Sequence, residues 1–263
     1  MTGTKRAAGL GRAGLALAAL WLLLMGGTAS AQLTARANHD HIKIDLTYHG
    51  STVSVRGTSE PGVDLVVKIS SPHAGETLKM KKRAGGLLWM NAGDLDLGNV
   101  PGLYLLASTR RAEDILSQEE LDRYAIGYGA LERLAEAKGL GPGEDKSEWF
   151  REFLKLKESS RMYSSAVGDF SVTPEDGKER YYVLFDWPHR APSGDYSVTV
   201  YAVRDGKVVE KAETGLLVEE VGVVKALDTM ARRHGALYGA AAIFIALGAG
   251  LGVGMIFKRG GGR

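Results

Sequence analysis

Among the side chains able to do chemistry, three of the 6 histidines gather toward one end of the sequence: His39, Asp40 and His41 stand together and His49 follows at the next expected turn. Imidazole beside carboxylate is a donor set for zinc or copper, which makes these four the candidate metal ligands. Strand alternation would put His39 and His41 on one face and Asp40 on the other, so they are not expected to form a preformed cluster. No bound metal or other cofactor is expected. His73, His189 and His234 each lie beside a turn or an apolar boundary and read as surface or interfacial residues.

Other reactive arrangements are missing from the sequence. There are 0 cysteines, which removes thiolate nucleophiles, disulfides and zinc–thiolate sites. No serine sits in a G-x-S-x-G elbow, and no glycine run follows a strand and opens a helix with the spacing of a phosphate or dinucleotide loop. Asp94 and Asp96 share one strand face and Glu219 and Glu220 are adjacent. Hydrolysis by paired acids needs a shared cleft, and solvated faces explain both pairs. The expectation is a protein with no catalytic residues, not an enzyme.

The elements around these residues alternate with period two. Ile42, Ile44, Leu46 and Tyr48 predict one strand; Val53 and Val55, Val63 to Ile69, Leu78 and Met80, Leu87 to Met90, and Leu95 and Leu97 continue the series between Gly and Pro punctuation. The period then changes. Ser117 to Glu120 reads as a capping box, and a second helix is expected from Ser147 with Trp149, Phe153 and Leu156 on one stripe. Strands return at Phe170 to Val172 and Tyr181 to Trp187. Tyr196 to Ala202 and Val208 to Val218 then form a hairpin around a type I′ Asp205-Gly206 turn. The fold class expected is mainly β: an immunoglobulin-like β-sandwich with a helical insertion, plus one C-terminal transmembrane helix. Tyr196 is placed for a tyrosine corner.

Both ends are apolar. Lys5, Arg6 and Arg12 precede the run Ala13 to Met25, and Ala29-Ser30-Ala31 has the small-x-small form of a cleavage site, so residues 1–31 read as a secretory signal peptide. Leu237 to Phe257 is long enough to span a bilayer, with Lys258 and Arg259 behind it. Residues 32–110 and 167–220 are then the two β parts, 111–166 the helical insertion, 221–236 a juxtamembrane amphipathic segment, 237–257 the span and 258–263 a cytoplasmic tail. Taking three positives from each end off the net +2 leaves −4 between them, so the basic character belongs to the ends and a nucleic-acid partner is not expected. In the span, Gly235 and Gly239, Gly248 and Gly252, and Gly250 and Gly254 repeat at four-residue spacing, the pattern that lets a second helix approach the backbone. The partners this implies are the lipid bilayer and another integral membrane protein, or a second copy of the chain.

Several stretches together resemble an uncharacterised transmembrane protein family best known from alphaproteobacteria. They are Trp89-Met90-Asn91, VPGLYLLAS from Val100, AIGYGAL from Ala125, WFREFLKLK from Trp149, the PSGDYSVTVYAVRDGKVV hairpin, and VGVVKALDTMARRHGALYG entering the span. Leu103 stands where the family pattern has an aromatic, and the NHDH start is individual to this chain. The resemblance implies a signal-bearing, single-span protein of the bacterial inner membrane of unknown activity; the signal and the basic residues behind the span put the large domain in the periplasm. The resemblance also implies an association with permeases of the sulfite or sulfonate exporter type, and no catalytic residues. The function expected is a non-enzymatic accessory or interaction subunit of a membrane complex; the alternative is a membrane-tethered periplasmic module that binds a ligand or metal. Trp89 and Tyr104 are expected in the core rather than in a site.

Overall fold

The strand β7, Tyr104–Ser108, is buried at all 5 of its positions, which a strand achieves only when both faces are covered. In the computed structural model, residues 32–72, 75–84, 88–141 and 143–260 are described. The expected signal peptide, His73 and the last residues of the tail lie outside them. In chain order the first elements are β1 (Arg36–Ala37), β2 (His41–Ile44), β3 (Ser51–Ser59), β4 (Asp64–Ser70), β5 (Glu76–Ala84), β6 (Leu88–Gly98) and β7. The helical stretch follows: α1 (Ala112–Ile115), α2 (Gln118–Tyr124), α3 (Tyr128–Leu134), a short β8 (Glu136–Lys138) and α4 (Lys146–Ser159). Then come β9 (Tyr163–Val167), β10 (Phe170–Glu175), β11 (Lys178–Trp187), β12 (Gly194–Arg204), β13 (Lys207–Glu220), α5 (Gly222–Arg233) and α6 (Gly235–Gly260). The chain is mostly β with one C-terminal apolar helix, as the sequence predicts.

The strands form a four-stranded sheet in the order β1-β3-β11-β10, a six-stranded sheet β2-β13-β12-β4-β7-β9, and a three-stranded sheet β5-β6-β8. Alternation sorts the six-stranded sheet into two faces. Leu65, Val67, Ile69, Val198 and Val200 share one, and join Val53, Val55, Tyr181, Val183 and Phe185 of the four-stranded sheet in one core. Trp187 meets Tyr196 edge-on there, with ring centroids 4.9 Å apart. The opposite face, carrying Lys68, Tyr104 and Tyr201, is covered by the helices: Tyr124 packs on Tyr201 at 5.2 Å and Tyr128 on Tyr104 at 6.3 Å. The short helices therefore bury their apolar residues against the sheet rather than against each other, which helices this short require.

Local chemistry explains where elements begin and end. Asp205 and Gly206 both have positive φ, at 52° and 79°, as a type I′ turn needs. The Tyr196 hydroxyl donates to the Pro192 carbonyl at 2.6 Å, the bond a tyrosine corner makes. The strand expected over Ile42 to Tyr48 stops at Ile44, because Asp45 Oδ1 accepts from both the amide and the hydroxyl of Thr47 at 2.8 Å, closing an Asx turn that leaves Leu46 exposed. The capping box is half made. Ser117 Oγ accepts from the Glu120 amide at 3.4 Å, but the buried Glu120 carboxylate accepts from the Val208 amide at 3.0 Å and so ties α2 to β13.

The stripe expected on α4 is rotated. Phe150, Phe153 and Lys157 are its buried residues, while Trp149 is half-buried and Leu156 is 51% exposed. Phe153 stands edge-on to Tyr163 at 5.5 Å, which fixes the helix on the sheet. At the N-terminal end of the domain, β3 carries Gly57. A Cβ there would fall 1.8 Å from the Thr34 carbonyl oxygen, and that same oxygen accepts from the Tyr181 hydroxyl at 2.5 Å. Only glycine lets the segment before β1 cross β3 so closely.

Candidate functional site

The four candidate metal ligands are not brought together. His39 and Asp40 are exposed ahead of β2, and His49 is exposed beyond the Asx turn. His41 opens β2, and its Nε2 lies 3.0 Å from Glu219 Oε1 on the parallel neighbour β13. Asp40 contributes its carbonyl, which accepts from the Leu217 amide at 2.9 Å. Among the described residues no group of three or more His, Asp or Glu side chains could hold a metal ion. What the segment does in the fold is pair a short edge strand with β13.

The carboxylate pairs are likewise occupied separately. Asp94 pairs with Lys79 Nζ at 2.8 Å, and Asp96 accepts from the Thr77 hydroxyl at 2.6 Å, both on the exposed face of β6. A groove of about 360 Å³ beside them is lined by Glu76, Thr77, Asp96 and Lys138. A second, of about 260 Å³, lies against Trp149, Glu148 and Glu152 of α4. In the first groove the Thr77 hydroxyl is held by the Asp96 carboxylate beside Lys138. Trp89 lies on β6, and its side chain is outside what is described.

Two lysines absent from the sequence expectations are buried between the sheet and the helices. Lys68 is 9% exposed; its Nζ donates to the Tyr124 carbonyl at 2.5 Å and lies 5.6 Å from the centre of the Tyr201 ring. Burial pushes this amine down to about 8, with Lys211 acting in the same direction and Glu213 against it. Tyr124 ends α2, so the ammonium meets carbonyl dipoles at the negative end of a helix. Lys157 is 7% exposed, pairs with Glu76, donates to the Gly102 carbonyl at 3.2 Å and packs on the Phe153 and Tyr163 rings. Both ammonium groups fasten helix ends and turns to the sheet. No sequence signal marks them, since each occupies a position that alternation or charge assigns to solvent.

The two C-terminal helices are uncovered along their described length. From Gly235 to Met255, α6 is apolar, with a mean hydropathy of 2.0 and 0% of the window buried, and it is long enough to cross a membrane. The apolar helix begins two residues ahead of the expected 237–257. Gly235, Gly239, Gly248, Gly250, Gly252 and Gly254 all lie on it, and a Cβ added at any of them would meet nothing within 4 Å. Each four-residue pair stacks on one face, so the helix carries bare backbone beside Leu247 and Leu251, which are 59% and 68% exposed. Preceding it, α5 has no buried residue at all.

A family model described as putative transmembrane protein (Alph_Pro_TM) matches residues 32–259. No curated protein matches the chain.

Proposed function

The chain belongs to the Alph_Pro_TM family, and from that premise we propose that it is a non-enzymatic accessory subunit of a membrane complex, joined to its partner through α6. The observation that carries this reading is the open glycine face. An anchor needs only to be greasy, whereas glycines stacked one turn apart weaken the helix and repay that cost when a second backbone approaches. On this reading the β domain lies in the periplasm and the tail in the cytoplasm of an inner membrane. The export pattern of residues 1–31 and the positive Lys258 and Arg259 support that orientation. A permease of the sulfite or sulfonate exporter type is the partner the family resemblance suggests; a second copy of the chain is the other candidate.

The test is affinity capture of the full chain from native membranes, with and without Gly248→Leu and Gly252→Leu. Recovery of an integral membrane partner that is lost in the variant supports the docking role. Equal recovery from both, with the variant still integral to the membrane, removes it.

A further inference from the structure

Every residue of α5 is at least partly open to solvent, yet its side chains are sharply sorted. At helical periodicity Val223, Val224, Ala226, Leu227, Met230 and Ala231 occupy an arc of roughly 160°. Lys225, Asp228, Thr229, Arg232 and Arg233 take the rest. Val223 is 56% and Leu227 46% exposed, so the apolar arc has no cover from the β domain. Three further observations identify what covers it. Only His234, with φ −135° and ψ 48°, separates α5 from the apolar helix, so the arc begins where that helix meets the membrane surface. The polar arc carries three basic residues and one acid; Arg232 pairs with Asp228 at 2.7 Å and Lys225 with Glu219 at 3.5 Å, so its excess positive charge falls at Arg233, beside the apolar helix, where it suits lipid phosphates. Tyr238, one turn inside α6, is the aromatic type that marks the headgroup level.

We infer that α5 lies in the membrane interface, its Val223–Leu227–Met230 face in the acyl boundary and Arg233 toward lipid phosphates. The inference rests on α6 being a span and adds a second contact with the bilayer. The other end of α5 is held by the domain: the Val221 amide donates to the Ile44 carbonyl at 2.9 Å, continuing the β13–β2 ladder. The β domain would then sit directly on the headgroups.

The chain has 0 cysteines, so single labels can be placed without background. Full-length Leu227→Cys, Thr229→Cys and Leu247→Cys, each spin-labelled and reconstituted in phosphatidylcholine–phosphatidylglycerol nanodiscs, are compared for relaxation by oxygen and by an aqueous nickel chelate. The expected result is oxygen-dominated relaxation at 227 and 247 and chelate-dominated relaxation at 229, with the ratio changing several-fold across α5. Equal chelate access at 227 and 229 would overturn the interfacial placement, and so would a label at 227 shielded from both agents, which means protein covers that face. The Leu247 label separates the two readings: chelate access there refutes the span itself, whereas lipid exposure at 247 with water exposure at 227 refutes only α5.

Discussion

The hydroxyl of Tyr104 accepts from the Gly127 amide at 2.8 Å while donating to the Ala125 carbonyl at 3.0 Å, so one buried side chain of the six-stranded sheet holds the turn between α2 and α3. Ala125 and Gly127 both have positive φ, and the phenol takes the donor and acceptor that this turn exposes. Burial pushes the phenol well above its usual range, which keeps it protonated. Tyr104→Phe should therefore cost about 1–3 kcal/mol, the penalty for leaving a buried amide unpaired. Urea unfolding of the detergent-solubilised chain checks this; an unchanged midpoint would mean the turn is held by other bonds.

Lys68→Met should stabilise the protein at neutral pH. Holding the ammonium charged in its buried place costs of the order of 3 kcal/mol, partly offset by its bond to Tyr124, so the net gain is roughly 1–2 kcal/mol. The folded value lies below the unfolded one, so the penalty is full below about pH 8 and fades as the pH rises toward 10.5. The gap between the variant and the parent should narrow over that window. A gap that widens there would refute the assignment.

On α4 the rotated stripe makes a paired prediction. Phe153→Ala empties a core position and should cost about 3–5 kcal/mol. Leu156→Ala lies on the exposed side and should change stability by less than about 0.5 kcal/mol. Comparable losses from both would restore the stripe that the sequence suggests.

Gly57→Ala should displace the segment that crosses β3, since the new carbon cannot coexist with the Thr34 carbonyl. A loss of about 2 kcal/mol is expected, within the range for forced overpacking. Limited proteolysis should show cleavage appearing around residues 33–37 before the rest of the domain opens.

Legibility in the sequence followed solvent exposure. The hairpin of β12 and β13, with its Asp205-Gly206 turn, could be read directly because β13 has one exposed face and alternates. The strand Tyr104–Ser108 could not, because a sheet covered on both sides has no alternation to betray it. The interval from Leu87 to Leu97 reads as two strands, whereas β6 runs from Leu88 to Gly98 and passes a bulge opposite Met80 and Lys81. Burial of Lys68, Glu120 and Lys157 depends on partners distant in the chain, which local pattern does not contain. The apolar C-terminal helix was legible to within two residues at its start, since its hydropathy, its glycine spacing and the sorted faces of α5 are properties of single helices.

The route by which the domain meets its tether has a mechanical consequence. Glu220 ends a strand that pairs antiparallel to β12 as far as Val218 and parallel to β2 from Leu217 to Glu220, and the next helix starts at Gly222. Tension entering along β13 would load both ladders in shear, so their rungs share the force and must yield together, whereas a tether attached across an outermost strand would peel its rungs one by one. A pull from the bilayer would thus be taken first by the short β2 ladder and then passed to the long β12 ladder.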